Sequence, residues 1–175
     1  MGLEFHNLDE VTRDLMLDEL TADVGASSIY ISNYLNEKGA QNWPILLQEA
    51  MESGSDDSLA DALRLTSSFK TRSERKNPKG GTILVSVPIT AAQTLAESQF
   101  NMYYMRALAR RSLSGEGSLF VYRAKQVENP RQTSEILIGK KLNANEVLAG
   151  LRSTKGVNPP DGIPLPNTGI TVKLV

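Results

Sequence analysis

Three features of the chain predict an α+β fold: an acidic, helix-patterned first third, β-branched runs confined to the remainder, and one long helical stretch that nothing interrupts. The expected arrangement is an acidic helical N-terminal third, then a small sheet packed on one long central helix, with a Pro-rich C-terminal tail ending in a strand. The 175 residues, 40% hydrophobic and 22% charged, suit a single domain. Within it we distinguish an acidic helical part (1–63), a basic loop (64–81), a strand-helix-strand core (82–152) and an extended tail (153–175).

Asn7 followed by Glu10 is a capping-box pattern and predicts a helix over 8–23, with Leu8, Val11 and Leu15 on one side and Met16, Leu17 and Leu20 widening the stripe. A short extended piece follows at 28–32. Pro44 suits the first turn of a second helix running to Glu52, and Gly54 fits its stop. Asp57 or Ser58 opens a third helix ending near Leu65. Residues 64–81 hold Lys70, Arg72, Arg75, Lys76 and Lys79 among Ser, Asn, Pro and Gly, and read as a basic loop or β-ribbon. The run 82–88 is rich in β-branched residues and is the clearest strand.

Thr90 with Gln93 forms a second capping box, launching a helix that continues to Gly115. A strand is expected at 118–125 and another at 135–138. Asn143 with Glu146 caps a short helix through Arg152, and a strand at 168–174 closes the chain after Pro159, Pro160, Pro164 and Pro166. Strand, long helix, strand is an order compatible with a parallel crossover, but helices first and strands later favour a segregated arrangement.

On a helical wheel the long helix carries one apolar stripe of Ala91, Leu95, Met102, Met105, Ala109 and Leu113 and a second of Phe100, Tyr104 and Leu108. Between them runs a polar line of Gln99, Tyr103, Arg106 and Arg110. A helix apolar on two sides must be central or covered by a neighbouring subunit. Its arginines then have two sets of candidate partners, carboxylates of the acidic half of the same chain, or phosphate and the carboxylates of a partner.

The net charge of −1 hides a division. Residues 1–63 carry thirteen acids against Arg13 and Lys38, whereas 64–175 carry seventeen bases against seven acids. Either the halves face each other and cancel, or the particle has an acidic and a basic end that stack head to tail or present the basic end to nucleic acid. The candidate nucleic-acid or partner contacts are Arg72, Arg75, Lys76 and Lys79 in the loop, Arg106 and Arg110 on the long helix, Arg123 and Lys125 on a strand, and Arg131. Lys140 and Lys141 widen the basic set. Clustered cations suffice for phosphate, but stacking on bases needs exposed aromatics, and Phe69 is the one aromatic near the loop.

Without cysteine, disulfides, thiolate metal sites and cysteine nucleophiles are excluded, and His6 alone cannot build a His-rich zinc site. Two S-x-x-K patterns occur, at Ser67 with Lys70 and at Ser73 with Lys76, without the S-x-N and K-T-G partners that penicillin-recognising enzymes need. Gly80-Gly81 reads as a turn, not a phosphate loop. Glu97 and Glu135 form a candidate carboxylate pair that no spacing brings together, and His6 has no oriented acid or nucleophile. No catalytic residue, metal site or cofactor is assigned.

There is no basic-then-apolar leader and no uninterrupted apolar run of membrane length, so a cytoplasmic location without membrane contact is expected. The functional expectation is a non-enzymatic structural subunit of a larger assembly, partnered by itself or by other subunits. Its narrowest form is a capsid- or neck-associated component of a bacteriophage virion. The alternative is a nucleic-acid-binding protein using the basic loop and the Arg stripe, and the third is a small intracellular enzyme without metal or Cys. The tail is expected to dock on another element or subunit, its strand adding to a sheet edge.

Overall fold

The computed structural model describes residues 2–175. Three helices, α1 (Glu10–Gly25), α2 (Glu37–Ser53) and α3 (Asp56–Leu65), form the first third. A two-stranded antiparallel ribbon follows, β1 (Arg72–Lys76) and β2 (Thr82–Ser86), before the long helix α4 (Ala91–Leu113). The remainder holds β3 (Leu119–Arg123), α5 (Gln132–Glu135), β4 (Lys141–Leu142), α6 (Ala144–Thr154) and β5 (Ile170–Leu174). The second sheet has the order β4-β3-β5, all antiparallel, with Leu119 opposite Leu174 and Val121 opposite Val172. The α+β class is therefore observed. No parallel crossover joins the strands flanking α4, because β2 and β3 belong to different sheets.

α4 is the axis of the core. α1, α3 and α6 pack on it, and β5 lies against it. Phe100, Tyr103, Tyr104, Met105 and Leu108 are wholly buried, each contributing about 1.5–3 kcal/mol by leaving water. Both apolar stripes are thus covered by the chain itself, save Leu113 at the end of the helix, which is 46% exposed. The tail completes the cover: Ile163, Pro164 and Pro166 are buried. The Asn101 amide donates to Pro166 O at 2.9 Å and Ile170 O at 3.0 Å, and the Thr171 hydroxyl bonds the Asn101 side-chain oxygen. Of the two docking modes expected for the last strand, the internal one is adopted.

Several elements differ locally from expectation. The N-cap of α1 is Asp9, whose carboxylate accepts from Thr12 N at 2.9 Å. Asn7 instead accepts from Leu174 N at 3.0 Å, tying the first residues to β5. The buried side of α1 is Thr12, Met16, Glu19 and Leu20, while Val11 is half exposed. No strand forms at 28–32, where Tyr30 O accepts from the Trp43 indole at 2.9 Å.

Pro44 lies inside α2, which begins earlier because Asn36 clamps its start. The Asn36 side chain accepts from Gly39 N at 2.7 Å and donates to Ser67 O at 2.8 Å. Gly39 permits that approach, since a Cβ there would lie 2.1 Å from Ser68 O. At the other end α2 has no base of its own, and Arg13 of α1 supplies one, donating to Met51 O at 2.7 Å and Gly54 O at 2.9 Å. Thr90 precedes α4 with a helical backbone in place of the extended cap conformation and makes no side-chain cap, and the Gln93 side chain turns instead to Asp57 and Glu97. The strand expected at 135–138 is replaced by α5 and a turn, and the short β4 takes the third place in the sheet. No helix is long and apolar enough to cross a membrane among the described residues.

Candidate functional site

The cations singled out in the sequence fall into two groups, one absorbed by the fold and one left on the surface. The absorbed group centres on Glu19, which faces α4 from the buried side of α1. The polar line along α4 meets it: Arg106 lies 2.5 Å from Glu19 Oε2 and 2.6 Å from Asp23 Oδ2. Arg110 bonds Asp18 at 3.2 Å and Glu19 at 3.3 Å, and Arg152 of α6 reaches Glu19 at 2.6 Å. Tyr103 donates its hydroxyl to Asp23 at 2.8 Å, and the Arg106 guanidinium lies 4.9 Å from the centre of the Tyr103 ring.

Arg106 is 1% exposed and Glu19 is 3% exposed, so both would be costly to bury singly. Burial opposes the charge on Glu19, but the bonds from Arg152 and Arg106 and their field prevail and hold its carboxyl below the ordinary carboxylate range. Burial likewise opposes the Arg106 cation, and Asp23 and Glu19 outweigh it, raising its pKa. Arg106, expected as a candidate contact to nucleic acid or a partner, is instead turned into the core. Its guanidinium is committed within the chain, as is most of that of Arg110.

Arg123 and Lys125 are committed as well. Arg123 donates to Thr168 O at 3.0 Å and pairs with Glu135, while Lys125 pairs with Glu97. Each member of the candidate carboxylate pair is thus engaged by its own cation, Glu97 by Lys125 and Glu135 by Arg123. Arg131 remains exposed at a cleft of about 480 Å³ lined also by Tyr30, Tyr34 and Asn158.

The second group sits on the β1–β2 ribbon. Arg72, Arg75, Lys76 and Lys79 are all exposed, and none forms an ion pair among the described residues. Opposed residues share a face, so Arg72, Glu74 and Lys76 lie with Leu84 on one side, and Arg75 lies with Ile83 on the other. Leu84 is 64% exposed. The ribbon turns at Gly80 and Gly81, both at positive φ, and its strands pack chiefly on each other. Near its base, Lys70 N donates to Tyr34 O and Lys70 Nζ to Asn33 O.

The S-x-x-K serines have no catalytic geometry. Lys70 is bonded to Asn33 O, not to Ser67, and Ser73 is nearly buried while Lys76 points to the other face of β1. His6 stacks on Tyr122 with ring centres 4.2 Å apart. Among the described residues no cluster of three or more His, Asp and Glu is placed to hold a metal.

A buried acid escaped the sequence reading. Asp56, 1% exposed at the start of α3, accepts from Leu3 N at 2.9 Å and faces Asp57 and Glu97. Burial, aided by those two like charges, pushes its pKa up to about 6. Gly2 passes so close that a Cβ would come within 2.5 Å of its carboxylate. The exposed Leu84 was missed too, because its run of β-branched neighbours has the composition of a core strand. Compared with protein-family models, curated proteins and solved structures, the chain gives no match.

Proposed function

We propose that the protein is a non-enzymatic structural subunit that assembles through its β1–β2 ribbon. One observation carries the reading: the ribbon sets unpaired Arg72 and Lys76 beside the exposed side chain of Leu84 on one face, and unpaired Arg75 beside the exposed Ile83 on the other. A two-stranded hairpin is marginal by itself in water, and a purely solvated basic loop gains nothing from showing leucine and isoleucine. A surface that takes up both the apolar centre and the cationic rim gives the ribbon a role. The doubly apolar helix and the docked tail, which the sequence alone left open to coverage by neighbours, are satisfied internally and lend this reading no support. Its narrower form is a capsid- or neck-associated component of a bacteriophage virion; in its general form the protein is cytoplasmic.

A nucleic-acid partner is the second reading, favoured by the dimensions of a two-stranded ribbon, which fit a DNA major groove, and by its four cations. Size exclusion with light scattering, with and without duplex DNA at low and high salt, separates the two. A discrete or growing oligomer without nucleic acid, weakened by salt, is the expected result. A monomer at every concentration that shifts only on adding DNA would replace it with the second reading.

A further inference from the structure

We infer that the partner of the ribbon is a second copy of this chain, and that its dock is the groove between α1 and α2. This inference rests on the assembly reading above and deepens it. The groove holds about 430 Å³ and is lined by Leu17, Val24, Ile45 and Gln48, with Glu52 beside them. Val24 and Ile45 are 44% and 57% exposed, an apolar floor without a cover in the folded chain. The same two helices expose Glu10, Asp14 and Glu49, none of which has an ion pair among the described residues.

The two surfaces answer each other in order. The ribbon face has Leu84 at its centre and Arg72 and Lys76 around it; the groove lining holds Val24, Ile45 and one acid, Glu52, and the exposed Glu49 follows Ile45 by one turn of α2. Seating Leu84 on Val24 and Ile45 removes apolar area from water on both sides, and it brings Arg72 and Lys76 toward Glu52 and Glu49. Glu74, the one acid of that face, meets the Gln48 amide, which donates one N–H to Glu52 at 2.7 Å and has a second to give. Charge complementarity thus selects a copy of the chain, since its own acidic helices provide what the basic ribbon lacks. Ribbon and groove are different surfaces, so the contact is head to tail. Each copy retains a free ribbon at one end and a free groove at the other, and the assembly grows until it closes into a ring or extends as a filament.

Two single substitutions test this, both at exposed positions: Leu84→Asp in the ribbon and Ile45→Asp in the groove. The wild-type chain is expected to sediment above monomer mass at low salt. Each variant, shown by circular dichroism and thermal unfolding to keep its fold, should be monomeric, with at least a tenfold weaker self-association. Their equimolar mixture is the decisive sample. The intact ribbon of Ile45→Asp meets the intact groove of Leu84→Asp, so the mixture should form a one-to-one dimer and nothing larger. If Ile45→Asp alone keeps the wild-type mass, or the mixture stays monomeric or regains the full assembly, the ribbon-groove contact is wrong while assembly through the ribbon stands; if Leu84→Asp also keeps that mass, the ribbon is not the contact and both fall. If the wild type is monomeric up to its solubility limit, both fall, and a ribbon-dependent shift with duplex DNA then identifies nucleic acid as the partner.

Discussion

Arg106 on α4 and Arg75 on the ribbon are the same residue type in opposite circumstances. Arg106 is buried between two carboxylates of α1, stands over a tyrosine ring, and is held by side chains far away in sequence. Arg75 has Ile83 opposite it and water around it. The first kind of arginine belongs to the fold, because removing it strands buried charge. The second kind belongs to whatever meets the surface, because the fold barely registers it. Cancellation of the acidic and basic halves is therefore partial. It is carried by Arg106, Arg110, Arg111 and Arg152, and it stops short of the ribbon.

Three substitutions probe how far the contrast holds. Arg106→Met should have the largest effect, a loss of about 3–5 kcal/mol in urea unfolding, because Glu19 remains buried and Asp23 partly buried with fewer partners. Its pH signature follows from Glu19, whose carboxyl is held below its ordinary value of 4.5. The stabilisation from that carboxylate is present above 4.5 and is lost as pH falls through the depressed value. The acid limb of the stability curve should accordingly flatten in Arg106→Met. A loss under about 1 kcal/mol would mean that Arg110 and Arg152 suffice to hold Glu19.

Asp56→Asn sharpens the comparison from the other side, since Asp56 is a buried acid that forms no ion pair among the described residues. Its pKa rises from 3.8 to about 6 on folding, so its ionisation works against the folded state above pH 6. At about 1.4 kcal/mol per unit, the variant should be more stable than wild type by about 2–3 kcal/mol at pH 7. That advantage should shrink as pH falls through 6 and vanish below 3.8. Thermal unfolding at pH 4 and pH 7 measures it, and an equal advantage at both would place its origin elsewhere. Replacing Arg72, Arg75, Lys76 and Lys79 together by Ser should have the smallest effect on the monomer, within about ±0.5 kcal/mol at each site. Loss of cooperative unfolding in that variant would show the ribbon to be part of the fold and would dissolve the comparison.

Local chemistry made much of the architecture legible. Asn143 does cap α6, accepting from Asn145 N at 3.0 Å, and Gly54 does end α2. The polar line of α4 was readable from its spacing, and its destination in the acidic half was one of the two partner sets expected. The remaining features depend on contacts distant in sequence. Pro44 marks a helix start by its missing N–H, a cost of about 3 kcal/mol in a helix interior, yet the bonds of Asn36 to Gly39, Ser67 and Phe69 start α2 earlier. Asn7 looks like a cap until Leu174 claims its oxygen. Whether a β-branched run enters a core depends on which sheet accepts it, and the composition of β2 does not reveal that it pairs only with β1. For the same reason Arg123 and Lys125, basic by sequence, become internal through Glu135 and Glu97.

The position of β5 has a consequence for synthesis. β3 is flanked by β4 on one side and by β5 on the other, but β5 begins only at Ile170, long after Arg123 has been made. At a translation rate of about 5–20 residues per second, the interval between the two lasts roughly 2–10 s. Throughout it, Leu119, Phe120 and Val121 offer an unpaired edge, and Asn101 waits without the carbonyls it will bond. Nascent chains are thus open to strand exchange with one another for a time set by the ribosome, and a free peptide with the sequence of residues 168–175 would compete for the slot before the chain's own last strand seals it.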